Sequence, residues 1–413
     1  MSVATEYDVL IIGGGLVGGT LACALNGQNL RIGLIEAYPF KSAHQPSYDD
    51  RSIALAYGSR RILEGIGLWP KLAEQATAIK KIHISDRGHF GFTHLDCRDS
   101  GHEALGYVIE NRAIGNVFAE ALATQNNIDV LCPAQLDDLQ IDGQHARVTI
   151  QQTDPHGKIQ SRQLRTRLVI GADGGQSAVR RLSNIDSRHW DYGQSAIIAN
   201  ISPELPHLNR AYERFTDSGP LALLPMSEQR CSLVWTVRNR DVDSMLALDD
   251  EAFLSHLQQR FGDRLGQLQK SGRRSSYPLH LIRARPHETA RVTLIGNAAH
   301  TLHPIAGQGF NLGIRDVAAL AEVLSTALEQ GQDIGAPSVL QQYEHWRRHD
   351  QRHVAALTDT LVRVFSNNFT PLVLARNTGL LAMDLFSPLK RHLTRQAMGL
   401  NGHLPRLARG LPL

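Results

Sequence analysis

A glycine-rich turn set between an apolar β-like run and a helical pattern constrains this chain more than any other feature. Asp8-Val-Leu-Ile-Ile12 runs into Gly13-x-Gly15-x-x-Gly18, a helical pattern continues through Leu21 and Leu25, and a second β-like run follows, Arg31-Ile-Gly-Leu-Ile-Glu36. Parallel strands need a crossover of this kind, and it is nearly always right-handed. The first glycine permits the tight turn, the second lets the backbone approach a pyrophosphate, and the third allows helix and strand to pack closely. Phosphates then meet the free N–H groups and dipole of the helix N-terminus. Glu36 stands 18 residues beyond Gly18, where a carboxylate accepts hydrogen bonds from a ribose diol and disfavours a 2′-phosphate. The fingerprint predicts a dinucleotide site and leaves FAD and NAD open.

Further β-rich runs lie at 147–151, 167–172, 196–201, 221–225, 232–237 and 291–296. Apolar residues at Val317, Leu320, Leu324 and Leu328 predict a helix over 311–330, with Gly331 as its stop. From about Val339 the pattern is mostly helical, and Pro371 and Pro388 predict several helices rather than one rod. No repeat, low-complexity tract or long linker divides the chain, so a second domain must be built from insertions between strands of the first. The expected organisation is an α/β fold with a discontinuous nucleotide domain at 1–75, 101–184 and 276–345. A β-rich substrate domain at 76–100 and 185–275 interleaves with it, and 346–413 forms a helical C-terminal region.

Composition excludes several classes. With 43 basic and 40 acidic side chains the net charge of +3 makes no case for nucleic acid. The charge is uneven: 361–413 holds seven Lys/Arg against Asp384 alone, whereas 1–360 has 36 basic and 39 acidic residues. Such a basic, apolar tail could meet an anionic membrane or an acidic partner, or be a solvated helical end. Cys23, Cys97, Cys132 and Cys231 have no C-x-x-C spacing, which argues against zinc ribbons, redox dithiols and disulfide scaffolds. No metal-ligand spacing is present. The apolar stretch 9–25 is interrupted by five glycines and preceded by Glu6 and Asp8, which fits neither a signal peptide nor a membrane span.

Three later segments narrow the cofactor. Gly171-Ala-Asp173-Gly174-x-x-Ser177-x-x-Arg180 follows an apolar strand, Leu294-Ile-Gly296-Asn297-Ala-Ala-His300 ends another, and Pro304-x-x-Gly307-x-Gly309-x-Asn311 opens the long helix. Together they resemble the flavoprotein aromatic hydroxylases, the group containing para-hydroxybenzoate hydroxylase. The resemblance implies FAD, a Rossmann-like FAD-binding domain interleaved with a β-rich substrate domain, and a helical C-terminal region. It implies that the Asp173 segment contacts flavin and passing nicotinamide, and that the Gly296-Asn297 segment lies near the ribityl and phosphate groups. The Gly307–Asn311 segment then aims a helix N-terminus at the flavin pyrimidine, where N–H donors stabilise the negative charge of reduced flavin. Arg51, in Asp-Asp-Arg-Ser, and Arg112, in Glu-Asn-Arg, resemble the family's flavin-side arginines, with surface salt bridges as the alternative. The chain departs from the family at Asn297, usually Asp. An amide can still bond a ribityl hydroxyl but carries no charge.

The segment 296–313, Tyr212-Glu-Arg-Phe-Thr-x-x-Gly219-Pro-Leu-Ala-Leu-Leu-Pro225, and Thr358-Asp-x-Leu-x-Arg-Val-Phe365 resemble the ubiquinone-biosynthesis branch of these hydroxylases. So do Arg376-Asn-x-Gly379-Leu and Ala397-Met-Gly399. Within that branch Asn297 resembles the subgroup acting on 2-octaprenyl-6-methoxyphenol. The resemblance implies that NADPH or NADH reduces FAD, that dioxygen adds at flavin C4a, and that the hydroperoxide delivers one oxygen to the ring of a polyprenyl phenol. It implies a cytoplasmic enzyme whose tail could sit at the inner face of the membrane or join a ubiquinone-biosynthesis complex. Leu221–Pro225 is expected as a pocket wall and Pro304 against the flavin. His303 is expected either to assist phenol deprotonation, with a pKa near the working pH, or to be structural. An FAD-dependent isoprenoid or quinone reductase and a non-catalytic flavin-binding subunit are the rival readings. A flavin halogenase would carry Trp-x-Trp-x-Ile-Pro, which this chain lacks.

Overall fold

The computed structural model describes all residues except 1–4, 41–50, 155, 304, 366 and 368. Two large sheets organise the described residues. The first runs in the order Glu288–Thr289, Val292–Leu294, Ile159–Gly171, Thr5–Ile12, Ile32–Ile35, Ile128–Leu131, and Ala134–Ile141 and Ala146–Thr153 extend Ile159–Gly171 in antiparallel fashion. Its four central strands are parallel, and their C-terminal ends coincide: Ile12 is level with both Ile35 and Gly171, and Gly171 with Leu294. Buried on both faces, these strands are near-continuous Val/Ile/Leu runs, as parallel strands covered by helices require.

Helix Leu16–Ala24 and the long helix Gln308–Glu329 cover one face, and Leu21 and Leu25 join Ile314, Val317, Leu320 and Leu324 in one buried cluster with Val9 and Ile11. The helix begins three residues before the predicted start, and Gly331 follows it at φ +65°. Gly18 is closed against the turn it serves, since a Cβ there would lie 1.8 Å from the Gly13 carbonyl oxygen.

The second sheet runs His300–Thr301, Ser275–Ala284, Ser187–Pro203, Cys231–Arg238, Gly219–Pro225, Arg210–Thr216, Lys81–Asp86, Phe92–Asp96. The boundary drawn at 275/276 therefore falls on a strand that pairs with Ser187–Pro203. Helix Asp250–Phe261 closes its outer face, where Phe253, Leu257 and Phe261 pack on Tyr212, Leu221, Leu223, Leu233 and Trp235. A small sheet of Ser52–Ala56, Gly106–Glu110 and Thr77–Ile79 bridges the two.

The C-terminal region contains helices Pro337–Phe365, Thr370–Leu385 and Ser387–Ala397. Pro371 and Pro388 lie in the first turns of the last two, where a missing N–H costs nothing. A buried ion pair fastens this region to the second sheet. Arg376 Nε donates to Asp86 Oδ2 at 2.8 Å, Asn377 Nδ2 donates to the same oxygen at 2.8 Å, and Asn377 Oδ1 accepts from the Gly91 amide. Among the described residues no helix is long and apolar enough to cross a membrane.

Candidate active site

The aligned strand ends bring four of the predicted segments together. Gly13 takes φ +102°, and a Cβ there would meet the Ala172 carbonyl oxygen at 2.6 Å, so the first glycine turn abuts the Ala172–Asp173 turn. Gly15 is the N-cap of Leu16–Ala24, without a side-chain capping bond. Glu36 is buried, and its carboxylate accepts from the Gly14 amide at 2.6 Å and the Tyr38 amide at 2.9 Å. Gly296, at φ +57°, packs on Val17 and beside Gly313, which ties the third segment to both helices. Arg180 joins the second and third segments by donating to the Gly175 and Ala298 carbonyls at 2.7 and 2.8 Å.

The side chains divide by task. Asp173 Oδ2 accepts from the Ala178 and Val179 amides, while Oδ1 is buried with no partner among the described residues. Burial raises its pKa, against the lowering effect of the Ser177 side chain and of those amides. Asn297 is exposed at the strand end. Gly307, at φ +61°, is the N-cap of the long helix, and a Cβ on Gly309 would meet nothing within 4 Å. Asn311 departs from the expectation of a cofactor-facing side chain. Its amide donates to the Ala54 and Gly307 carbonyls and accepts from the Ala56 amide and the Ser59 hydroxyl. With its bonds closed inside the protein, it clips the turn to Ser52–Ala56. Arg51 lies over the Tyr277 ring with its guanidinium 4.5 Å from the centroid, and Arg112 is exposed on the first turn of Asn111–Ala123.

His303 also departs from expectation. It is fully buried and edge-on to Tyr192, both ring nitrogens lack partners among the described residues, and burial pushes its pKa down to about 4. A base that weak is poorly matched to phenol deprotonation near neutrality, because proton-transfer efficiency peaks when the catalytic pKa lies near the working pH. Pro304 lies outside the described residues.

Sequence reasoning missed Asp316. Its fully buried carboxylate accepts from the Gly296 amide, His300 Nε2, Arg347 Nε and Gln351 Nε2 at 2.5–3.1 Å. Burial opposes its ionisation, yet His300 and Arg347 hold its pKa far below the usual carboxylate range. Its only signal was a lone acid on the apolar face of a predicted helix.

The second sheet supplies the facing wall. Phe215 clusters with Ile305, Val362 and Phe365, and Ala211 clusters with Val108, Ile82, Leu224 and Ala54, the last beside Gly307. On this side Ile82, Ile84, Ile198, Leu224 and Val234 remain half-buried, whereas Tyr212, Leu223 and Leu233 opposite are closed by Asp250–Phe261. The expected wall Leu221–Pro225 thus divides: Ala222 and Leu224 face the glycine loop, and Leu221 and Leu223 face away. A cleft of about 1200 Å³ lies elsewhere, between Pro337–Phe365 and the C-terminal segment, with His345, Trp346, His349 and Arg315 among its lining. It contains none of the converging glycine turns.

These features fit FAD: a glycine cradle that a Cβ would fill, an orphaned Asp173 oxygen, and an uncapped helix start beside open space. The family described as FAD binding domain matches residues 6–358. A p-nitrophenol 4-monooxygenase from Pseudomonas putida superposes with a TM-score of 0.79 over 97% of this chain and all of its own, at 19% identity. Fold and matched family define an FAD-dependent aromatic monooxygenase of the para-hydroxybenzoate hydroxylase type.

A ubiquinone hydroxylase of Rhodospirillum rubrum is 42% identical over 411 residues, spanning 98% of this chain and 93% of its own. The 3-demethoxyubiquinol 3-hydroxylase of Escherichia coli is 31% identical, spanning 95% and 98%. The chain belongs to the FAD-dependent ring hydroxylases of ubiquinone biosynthesis.

Proposed function

We propose that this protein hydroxylates the ring of a polyprenyl phenol, with 2-octaprenyl-6-methoxyphenol as its substrate and NADPH or NADH as its electron donor. The observation that carries this reading is the half-buried aliphatic wall of Ile82, Ile84, Ile198, Leu224 and Val234 facing the glycine loop. An apolar wall suits a prenylated ring and keeps water from the reacting atoms. The names of the two relatives, both acting in ubiquinone formation, point the same way.

In this reading the Gly13–Gly18 turn and the start of Leu16–Ala24 hold the pyrophosphate and Glu36 the ribose. Asp173 Oδ1 and the Asn297 amide receive the ribityl side, with Arg51 and Arg112 flanking the cofactor. Gly307 and Gly309 lay the start of the long helix along the flavin pyrimidine, and Asn311 keeps that start in place. Bound FAD supplies two-electron redox chemistry and activation of dioxygen. The chain's own groups bind, orient and exclude water. In this division the first sheet and its helices hold the cofactor, the second sheet holds the ring, and 346–413 forms the helical end.

The tail provides a membrane contact. Phe369, Leu374, Leu385, Phe386 and Leu389 are exposed near Arg391 and Arg395, an apolar and basic combination that favours anionic lipid. Such a contact delivers an apolar substrate from the bilayer.

The test is NADPH and NADH oxidation by the purified, FAD-loaded protein with short-chain 2-prenylphenols that differ in ring substitution. The expected outcome is oxidation stimulated by the 6-methoxyphenol above its isomers. Oxidation indifferent to every phenol, with none consumed, would favour a reductase instead.

A further inference from the structure

Glu213 lies at the middle of strand Arg210–Thr216, level with Ile84 on one neighbouring strand and Ala222 on the other. Its side chain shares a face with Ala211 and Phe215, which belong to the two apolar clusters that meet Ala54 and Ile305 at the flavin loop. Tyr212 packs into the opposite core, so the alternation of the strand sends Glu213 toward the loop. The carboxyl is half-buried and, among the described residues, makes no hydrogen bond or ion pair. A carboxyl surrounded by aliphatic groups is costly unless something occupies its bonding capacity. Every other interior acid considered above has partners: Asp316 has four and Asp86 two.

We propose that the Glu213 carboxylate receives the hydroxyl of the phenol substrate, fixing the ring between the second sheet and the flavin loop and accepting its proton as the ring reacts. This rests on the polyprenyl-phenol reading above and adds the group that recognises the ring. In the transfer the phenol O–H bond breaks, an Oε–H bond forms on Glu213, and the electron pair stays on the phenol oxygen. From there it raises the electron density of the ring, which makes the ring the better nucleophile. The apolar walls hold the prenyl and ring surfaces, and Glu213 alone among the named wall residues offers a charged acceptor.

The electrostatics agree with that geometry. Burial raises the Glu213 pKa to about 7, and no neighbouring charge contributes. From the flanking strands it faces Ile84 and Ala222, and from its own strand Ala211 and Phe215. Tyr192, which packs on the Phe215 cluster, is kept protonated by burial that raises its pKa to about 12, and His303 against its ring is kept neutral by its own burial. A base near 7 is closer to a phenol, ordinarily about 10, than an exposed glutamate would be, so the proton is shared more evenly along the reaction.

The test compares binding of a short-chain 2-prenyl-6-methoxyphenol and its O-methyl ether to the oxidised, FAD-loaded protein without reductant, followed by the flavin absorbance change. The wild type should bind the phenol at least about tenfold more tightly than the ether, because a hydrogen bond to a charged group is worth that much. This preference should grow from pH 6 to pH 8 as the carboxylate forms. Glu213→Leu should bind both ligands within about threefold of each other at every pH, and Glu213→Gln should show a reduced preference that does not vary with pH. Gln also serves if the Leu variant does not retain FAD. A wild-type preference preserved, with its pH dependence, in either variant overturns the assignment. A wild type that binds neither ligand overturns the polyprenyl-phenol reading on which it stands, and that pattern is separate from the first.

Discussion

Asp316 and Glu213 place two carboxyl groups in the interior, one behind the Gly307–Gly309 loop and one in front of it. Asp316 lies on the long helix with four donors around it and is held as an anion. Glu213 lies on the second sheet with none among the described residues, and burial alone pushes it toward the neutral form. The contrast separates two uses of a buried acid. A satisfied one fixes structure, because removing it strands the charges around it. An unsatisfied one leaves capacity for a ligand, because the protein has not used its bonds.

The largest expected effect comes from Asp316→Ala. It removes the buried acceptor of Arg347 Nε and His300 Nε2, leaving Arg347, among the described residues, paired with Asp350 alone, and frees the Gly296 turn, so chemical denaturation should show a loss of about 3–5 kcal/mol, and flavin should be released on gel filtration. Arg376→Ala breaks the corresponding pair at Asp86, which among the described residues retains Asn377 as its side-chain partner, and should cost about 3 kcal/mol in the same assay. Gly13→Ala forces an L residue to φ +102° against the Ala172 carbonyl. Its cost should be about 1–3 kcal/mol, with weakened FAD retention measured by fluorescence of released flavin. Glu213→Gln should be the mildest in stability, with a change below about 1 kcal/mol near pH 5, where both side chains are neutral.

The pH dependence sharpens the comparison, since the two acids act in opposite directions. Asp316 has a folded pKa below its unfolded value, so its contribution is present above about pH 4 and lost as pH falls further. Glu213 has a folded pKa raised from 4.5 to about 7, so its protonated form favours folding at low pH and the protein loses stability as pH rises across that window. Urea denaturation from pH 4.5 to 7 should show that slope in the wild type and a shallower one in Glu213→Gln. An unchanged slope would mean that Glu213 is not buried as described.

Much of the cofactor side was legible because its signals are local. The Gly13–Gly18 turn, Glu36 at the strand end and the glycines at 307 and 309 are short-range turn chemistry, and the strands around them read as continuous apolar runs. The two buried acid networks were not legible, because their members are far apart in the chain. Asp86 and Arg376 are separated by 290 residues, and Asp316 and Arg347 by 31 across two helices. Burial also governed the misreadings. His303 titrates in the expected range only if exposed, and Asn311 bonds a cofactor only if its amide is not already committed to Ala54, Ala56, Ser59 and Gly307. Pro371 and Pro388 carried the right sign, since helices change there, but they start helices because a first-turn position tolerates their missing N–H. Glu213 sat within a quoted motif, yet only the pairing of its strand shows which face it occupies.

The most direct test of the central claim is to incubate the FAD-loaded protein with NADPH, a short-chain 2-prenyl-6-methoxyphenol and isotopically labelled dioxygen, and to analyse the product by mass spectrometry and NMR. The account predicts a ring-hydroxylated product carrying one labelled oxygen, with NADPH consumed in step with it. Reduced flavin that reoxidises without incorporating label into any phenol, while a ubiquinone hydroxylase run in parallel gives labelled product, would contradict it.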